Sequence, residues 1–261
     1  MIILRSRAEI DKIKTSCLIV ADILDVLIEH IKPGITTWEL NAISEELASK
    51  KHAKPAFKGY QGYPFALCTS VNEEVVHGMP SKLRRLKEGD IISLDFGVVL
   101  DGYYGDGALT APVGEIDEEA ARLCAVTEQC LYEGISQAIS GNRLSDISHA
   151  IQEYVEARGY SVVREFVGHG IGQHLHESPQ IPNYGPPGKG VRLKPGMVLA
   201  VEPMINAGGP DVEILEDQWT AVTRDRKLSA HFEHTIAITE DGPQILTRRE
   251  TALQSQSDKL Y

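Results

Sequence analysis

An α/β (α+β) chain in which one unit occurs twice is what three features of the sequence predict. Two amphipathic stretches near the N-terminus each open on a capping box, Ser6 with Glu9 and Thr36 with Glu39. An Asp101-Gly102 pair in the middle separates two apolar runs and is the pair favoured at a tight hairpin turn. LKEGDIISLD (86–95) returns as LKPGMVLAVE (193–202), an offset of 202 − 95 = 107 residues. The same offset carries Gly34 to Gly141 and Leu40 to Ile147, so helices and strands repeat together without a gap. The expected architecture is an internally duplicated antiparallel sheet covered by two pairs of helices about a pseudo-twofold axis.

Taken in order, Ile10, Ile13, Cys17, Val20, Leu24, Leu27 and Ile31 form one stripe of a first helix that ends at Pro33-Gly34. A second helix runs from Thr36 through Leu40, Ile43 and Leu47 to about Lys50. Residues 55–77 combine Gly59, Gly62 and Pro64 with Phe57, Tyr60 and Tyr63. CTSVNEEVVHG then reads as one strand that delivers His77 beside Gly78.

The stretch DIISLDFGVVLDGYYGDGALTA (90–111) organises the rest. A turn centred on 101 and 102 pairs residues whose numbers sum to about 203, so Asp95 opposes Ala108 and Asp106 opposes Gly97. The two carboxylates are then diagonal neighbours on one face. Either one of them stays protonated or a cation sits between them. The plainer alternative is that Asp101 and Asp106 only decorate turns.

The second half predicts a long helix from Glu118 to Ile139, ended by Gly141, and another capped by Ser145, with Ile147, Ile151, Tyr154 and Val155 on one side and Gly159 at its close. In FVGHGIGQHLHESP (166–179), Gly168, Gly170 and Gly172 alternate around His169 and Ile171, a strand whose glycine face admits close approach of another group. His174 faces solvent in this reading, and His176 precedes a loop rich in Pro and Gly (179–190). Glu202 lies between Val201 and Pro203, and AHFEHTIAIT (230–239) is a further strand carrying Glu233. Under a pseudo-twofold these acids converge. Four carboxylates in one core argue for multivalent cations over shared protons.

Composition sets the outer bounds. With 261 residues, 42% of them hydrophobic, the chain can bury a sizeable core, and a formal net charge of -11 argues against nucleic acid as substrate despite the basic run from Lys82 to Lys87. Four cysteines without CxxC spacing point to a reducing compartment. The N-terminus lacks a signal-peptide layout, and the most apolar run, Cys17 to Ile28, is interrupted by Asp22 and Asp25, so no membrane association is expected. The expected organisation is a single catalytic domain over 1–250 in two halves, about 1–111 and 112–250, followed by a polar tail at 251–261. The expected compartment is the cytoplasm.

At this point the chain resembles the type I methionine aminopeptidases. The segments that carry the resemblance are FVGHGIGQHLHESPQIPNY (166–184), SLDFGVVLDGYYGDGALT (93–110), VEPM (201–204) and FEHT (232–235). It implies the duplicated pita-bread fold. Only 202 − 169 = 33 positions separate His169 from Glu202, which leaves no room for the helical insertion of the type II enzymes, and the compact bacterial or organellar form is the match. The implied activity is removal of the initiator methionine from nascent polypeptides, with preference for a small second residue.

The resemblance also implies roles. Asp95, Asp106, His169, Glu202 and Glu233 match the ligands of two divalent metal ions, Asp106 and Glu233 bridging. A donor set of four carboxylates and one imidazole suits Mn, Fe or Co better than Zn or Ni. Glu202 also matches the general base, His176 the group that stabilises the oxyanion, and His77 a contact to the substrate amide. Phe57, Tyr60, Tyr63, Cys68, Leu175 and Trp219 match the walls of a methionine pocket. Many bacterial relatives have cysteine at position 57 and phenylalanine at position 175, so Phe57 and Leu175 imply a reshaped pocket. Asn72 and Ser229 match a monovalent-cation site. A monomer is expected, with the ribosome as a candidate contact. Two rivals share the fold: a proline-specific aminopeptidase or dipeptidase, and a non-catalytic ribosome-associated relative.

Overall fold

Ser6 accepts the Glu9 amide at 3.4 Å while the Glu9 carboxylate takes the Ser6 amide at 2.9 Å, and these reciprocal bonds open helix α1 (Arg7–His30). Thr36 and Glu39 open α2 (Thr37–Lys50) in the same way. The computed structural model describes residues 2–248, and the expected polar tail at 251–261 lies outside the described residues. Buried Ile13, Cys17, Val20, Leu24 and Leu27 face the sheet from α1.

First-half strands are β1 (Lys54–Pro55), β2 (Leu67–Val71), β3 (Glu74–Val76), β4 (Ile91–Leu100) and β5 (Tyr103–Pro112). The turn between β4 and β5 has Asp101 at φ 50° and Gly102 at φ 78°, the two left-handed residues a type I′ hairpin requires. Helices α3 (Glu118–Ser136) and α4 (Leu144–Glu156) follow. The remaining strands are β6 (Ser161–Val162), β7 (Gly168–Gly170), β8 (Glu177–Ile181), β9 (Val198–Val201), β10 (Met204–Asn206), β11 (Val212–Ile214), β12 (Ala221–Thr223), β13 (Ser229–His231), β14 (Glu233–Thr239) and β15 (Gly242–Ile245). A nine-stranded sheet runs in the order β1-β4-β5-β14-β9-β7-β8, with β2 on β4 and β15 on β14. Two three-stranded sheets, β13-β10-β6 and β11-β12-β3, flank it. This curled antiparallel sheet under two helix pairs is the pita-bread arrangement.

The duplication reaches individual hydrogen bonds. Gly34 donates to the Leu86 carbonyl at 2.7 Å and Gly141 to the Leu193 carbonyl at 3.0 Å. The Arg85 guanidinium holds the Gly34 carbonyl at 2.7 Å, and Arg192 holds that of Gly141 at 2.8 Å. Each pair of equivalents is 107 apart (141 − 34, 193 − 86, 192 − 85). Each helix pair also packs on its own apolar core, around Leu40 and Phe96 in one half and Ile147 and Leu199 in the other.

Five local expectations change. CTSVNEEVVHG is a hairpin, because Asn72 takes φ 59° and turns the chain between β2 and β3. The run 230–239 breaks at Phe232, so β13 pairs with β10 while β14 pairs with β5 and β9. Residues 177–181, at the start of the supposed Pro-Gly loop, form β8 against β7. Ser145 does not cap α4: Arg143 occupies that position, its amide bound to Asp146 at 2.7 Å, and the Ser145 hydroxyl accepts the Lys189 amide at 2.7 Å. Arg143 is the repeat equivalent of Thr36 (143 − 36 = 107). Helix α3 also stops at Ser136, short of Ile139.

Candidate active site

Strand register gathers the nominated acids. Asp95 pairs with Ala108, Gly97 with Asp106, and Ala108 in turn with Glu233. Across the other half, Ala200 pairs with both Thr235 and His169. Glu202 follows directly after β9. Glycines permit these approaches: a Cβ on Gly168 would lie 2.4 Å from the Ala200 carbonyl, and one on Gly170 2.4 Å from that of Ser178.

His169 Nε2 lies 3.5 Å from Glu202 Oε1 and 3.8 Å from Asp106 Oδ2. Ligand-capable atoms of Asp106, His169 and Glu233 all fall within 4.8 Å of one another. His169 Nδ1 donates to the Gly170 carbonyl at 3.0 Å, which leaves the Nε2 lone pair aimed at the carboxylates. His231, 1% exposed, lies with its Nε2 3.8 Å from Glu202 Oε2.

Electrostatically the cluster is unbalanced. Burial, followed by repulsion from Asp106, holds the Asp95 carboxyl well above its usual range. Glu202 and Glu233 are raised in the same way, by burial first and then by neighbouring acids. Asp106 is raised to about 7 by burial, against the lowering effect of the Gly107 amide at 3.0 Å. Burial pushes His169 down to about 3 and His77 to about 4, and lowers His176 as well. The imidazoles are therefore neutral at pH 7, and among the described residues no lysine or arginine lines the pocket. Asp95 Oδ1 and Glu233 Oε1 are buried without a hydrogen-bond partner among the described residues. Buried, unpaired carboxylate oxygens around an imidazole with a free nitrogen form a donor set that fits divalent cations.

A pocket of about 140 Å³ opens beside this cluster, and every residue the sequence nominated for the site lines it. That is close to the roughly 150 Å³ of a cavity that accepts benzene. Tyr63 donates to the Leu67 and Gly78 carbonyls, both at 3.1 Å, and meets Trp219 edge-on at 5.1 Å between ring centroids. Asp217 accepts the Trp219 amide at 2.9 Å and fixes that wall. Phe57 packs over Gly97 and Leu175 is buried. The Cys68 thiol stays protonated, since burial and then Asp95 raise its pKa. Tyr60 Oη and His176 Nδ1 are 2.8 Å apart.

His77, at φ 59°, stands edge-on to Phe166 with centroids 5.3 Å apart. A second cleft of about 520 Å³ leads outward past Val76, Phe166, Val167 and Gln180. Away from the pocket, Ser229 donates its amide to the Asn72 carbonyl at 2.9 Å, so these two residues are neighbours, and His174 is exposed.

Sequence reasoning missed Gln61, which lines the pocket at φ 48°, and His231. The signal for His231 was its place two residues before Glu233. Nothing local marked Gln61.

Residues 11–240 match metallopeptidase family M24. The chain belongs to that family. Within it the chain is of the type I methionine aminopeptidase kind. It is 58% identical over 248 residues to methionine aminopeptidase 1 of Bacillus subtilis, covering 95% of this chain and 100% of that one. Among solved structures, methionine aminopeptidase from Thermotoga maritima is similar at TM-score 0.94 and 51% identity, over 95% of this chain and 100% of its own. Prolidase from Pyrococcus horikoshii shares the fold at TM-score 0.78 and 24% identity, with 95% of this chain matching 64% of the prolidase. Membership of M24 makes the chain a metal-dependent hydrolase. Among the described residues, no helix is long and apolar enough to cross a membrane.

Proposed function

We propose that this chain hydrolyses the first peptide bond of polypeptides that begin with methionine, as a dinuclear metallo-aminopeptidase. The observation that carries the reading is the convergence of five groups, Asp95, Asp106, His169, Glu202 and Glu233, on a pocket of about 140 Å³ whose other walls include Phe57, Tyr60, Tyr63, Leu175 and Trp219. These five residues would hold two divalent ions, and their oxygen-rich, thiolate-free character favours Mn, Fe or Co. When bound, such a pair lowers the pKa of water to near neutrality and polarises the scissile carbonyl.

The chain's own residues do the rest. Phe57, Tyr60, Tyr63, Cys68, Leu175 and Trp219 enclose the methionine side chain, which orients the first peptide bond over the acids. Glu202 accepts the proton of the attacking water and passes it to the departing amine. Neutral His176 donates N–H to the developing oxyanion, and neutral His77 donates to the substrate amide. The outer cleft past Val76, Phe166 and Gln180 receives the leaving peptide, and a small second residue is preferred in this reading. Both halves, about 1–111 and 112–250, serve as one catalytic domain in this reading, acting on nascent chains in the cytoplasm.

The test is a metal-depleted preparation assayed on Met-Gly and X-Pro peptides while Mn(II) or Co(II) is restored. Hydrolysis of the Met peptide that depends on added metal is expected. Equal activity without metal would remove the mechanism, and preference for an X-Pro bond would assign the chain to proline-specific chemistry.

A further inference from the structure

Tyr60 is a wall of the methionine pocket, yet its hydroxyl is directed away from purely apolar work. It lies 2.8 Å from His176 Nδ1, with the two rings edge-on at 66° and their centroids 5.1 Å apart. On its other side the His176 ring stands perpendicular to His169, at 90° with centroids 4.2 Å apart. The imidazole is thus held between a pocket residue and a residue of the acid cluster. Residues 60 and 176 come from separate halves of the chain. Gly59 at φ 87° and Gln61 at φ 48° fix the short turn that presents Tyr60, so the hydroxyl is set by backbone and not by a free loop.

We propose that Tyr60 is a positioning residue that selects the tautomer of His176. A neutral imidazole has one N–H, and the nitrogen that carries it is decided by the hydrogen bond at the other nitrogen. A phenol is the better donor of this pair and an imidazole lone pair the better acceptor, so the Tyr60 O–H donates to Nδ1. The ring proton then resides on Nε2, the nitrogen remote from Tyr60. Without the hydroxyl, Nδ1–H and Nε2–H forms compete, and the Nδ1–H form has no hydrogen to offer an oxyanion from Nε2. The inference rests on His176 acting in the reaction as proposed above.

The experiment separates the two ideas. Tyr60→Phe keeps the aromatic wall and removes only the hydroxyl, His176→Ala tests the role of the imidazole alone, and the double variant joins them. Expected are a fall of roughly tenfold in kcat for Tyr60→Phe, a fraction of the loss caused by removing an oxyanion donor outright, with KM for a Met-Gly-type peptide within about twofold. Tyr60→Phe should have no further effect in the His176→Ala background. Nitrogen-15 NMR of the metal-free wild-type protein should report the Nε2–H form of His176, and Tyr60→Phe should shift it toward a mixture. An Nδ1–H ring in the wild type, a raised KM with unchanged kcat, or an undiminished Tyr60→Phe effect in the double variant would overturn the assignment to Tyr60. If His176→Ala alone leaves kcat intact, it is the role of His176 that fails.

Discussion

Glu202 carries the heaviest demand of any single residue, since it neighbours His169 at 3.5 Å and His231 at 3.8 Å and is assigned the proton transfers. Glu202→Gln preserves its volume while removing its basicity. Steady-state kinetics should give a kcat lower by about 10²–10⁴-fold, the range for losing a positioned acid–base group, with the circular dichroism spectrum unchanged. At the pocket, Leu175 is buried. Leu175→Ala should raise KM for methionyl peptides about tenfold, in line with roughly 1–3 kcal/mol for altered apolar contact with a substrate side chain. A KM that does not move would place the methionine side chain elsewhere.

At the level of elements, legibility follows the reach of the interaction. Capping boxes and the Asp101-Gly102 turn act over two to four residues, and both were readable. The register that aligns Asp95, Ala108 and Glu233 followed in part from the turn, because a two-residue hairpin fixes the pairing of both strands. Asn72 is different: a lone asparagine at φ 59°, with no glycine beside it, interrupts a run that otherwise has strand character. The break at Phe232 has no local signal either, since it arises where β13 and β14 join different sheets. The contact between Tyr60 and His176 spans 116 residues and depends wholly on tertiary placement. One helix–strand contact invites a direct test. A Cβ at Gly105 would stand 2.5 Å from the Cys17 amide and 2.6 Å from the Ser16 carbonyl carbon, so Gly105→Ala should push α1 from β5 and cost about 1–3 kcal/mol. Gly102→Ala meets nothing within 4 Å and strains only φ, so urea denaturation should rank it as the milder change, near 1 kcal/mol.

For the whole molecule, the acid cluster links stability to pH and to metal. Folding raises Asp106 from 3.8 to about 7 and raises Asp95, Glu202 and Glu233 well above their usual values. A raised folded-state pKa gives stability that is fully present below the unfolded value and is lost as pH rises through the folded one. His77 and His169 work in the opposite sense: lowered to about 4 and 3, they contribute above 6.5 and lose that contribution as pH falls. Above pH 6.5 the carboxyls therefore govern. Chelator-treated protein should melt at a lower temperature at pH 8 than at pH 6.5, and Mn(II), which takes the place of the protons, should raise Tm more at pH 8. Equal Tm gains at the two pH values would mean that metal does not neutralise these acids.

The matched clasps of Arg85 on Gly34 and Arg192 on Gly141 mark a doubled ancestry, and the reactive cluster straddles the line between the copies: Asp95 and Asp106 stand in one, His169, Glu202 and Glu233 in the other. Neither copy owns a complete set. If these five residues form the reactive set as proposed, hydrolysis requires both copies to be correctly mated, and a chain whose copies have mated wrongly is expected to be silent.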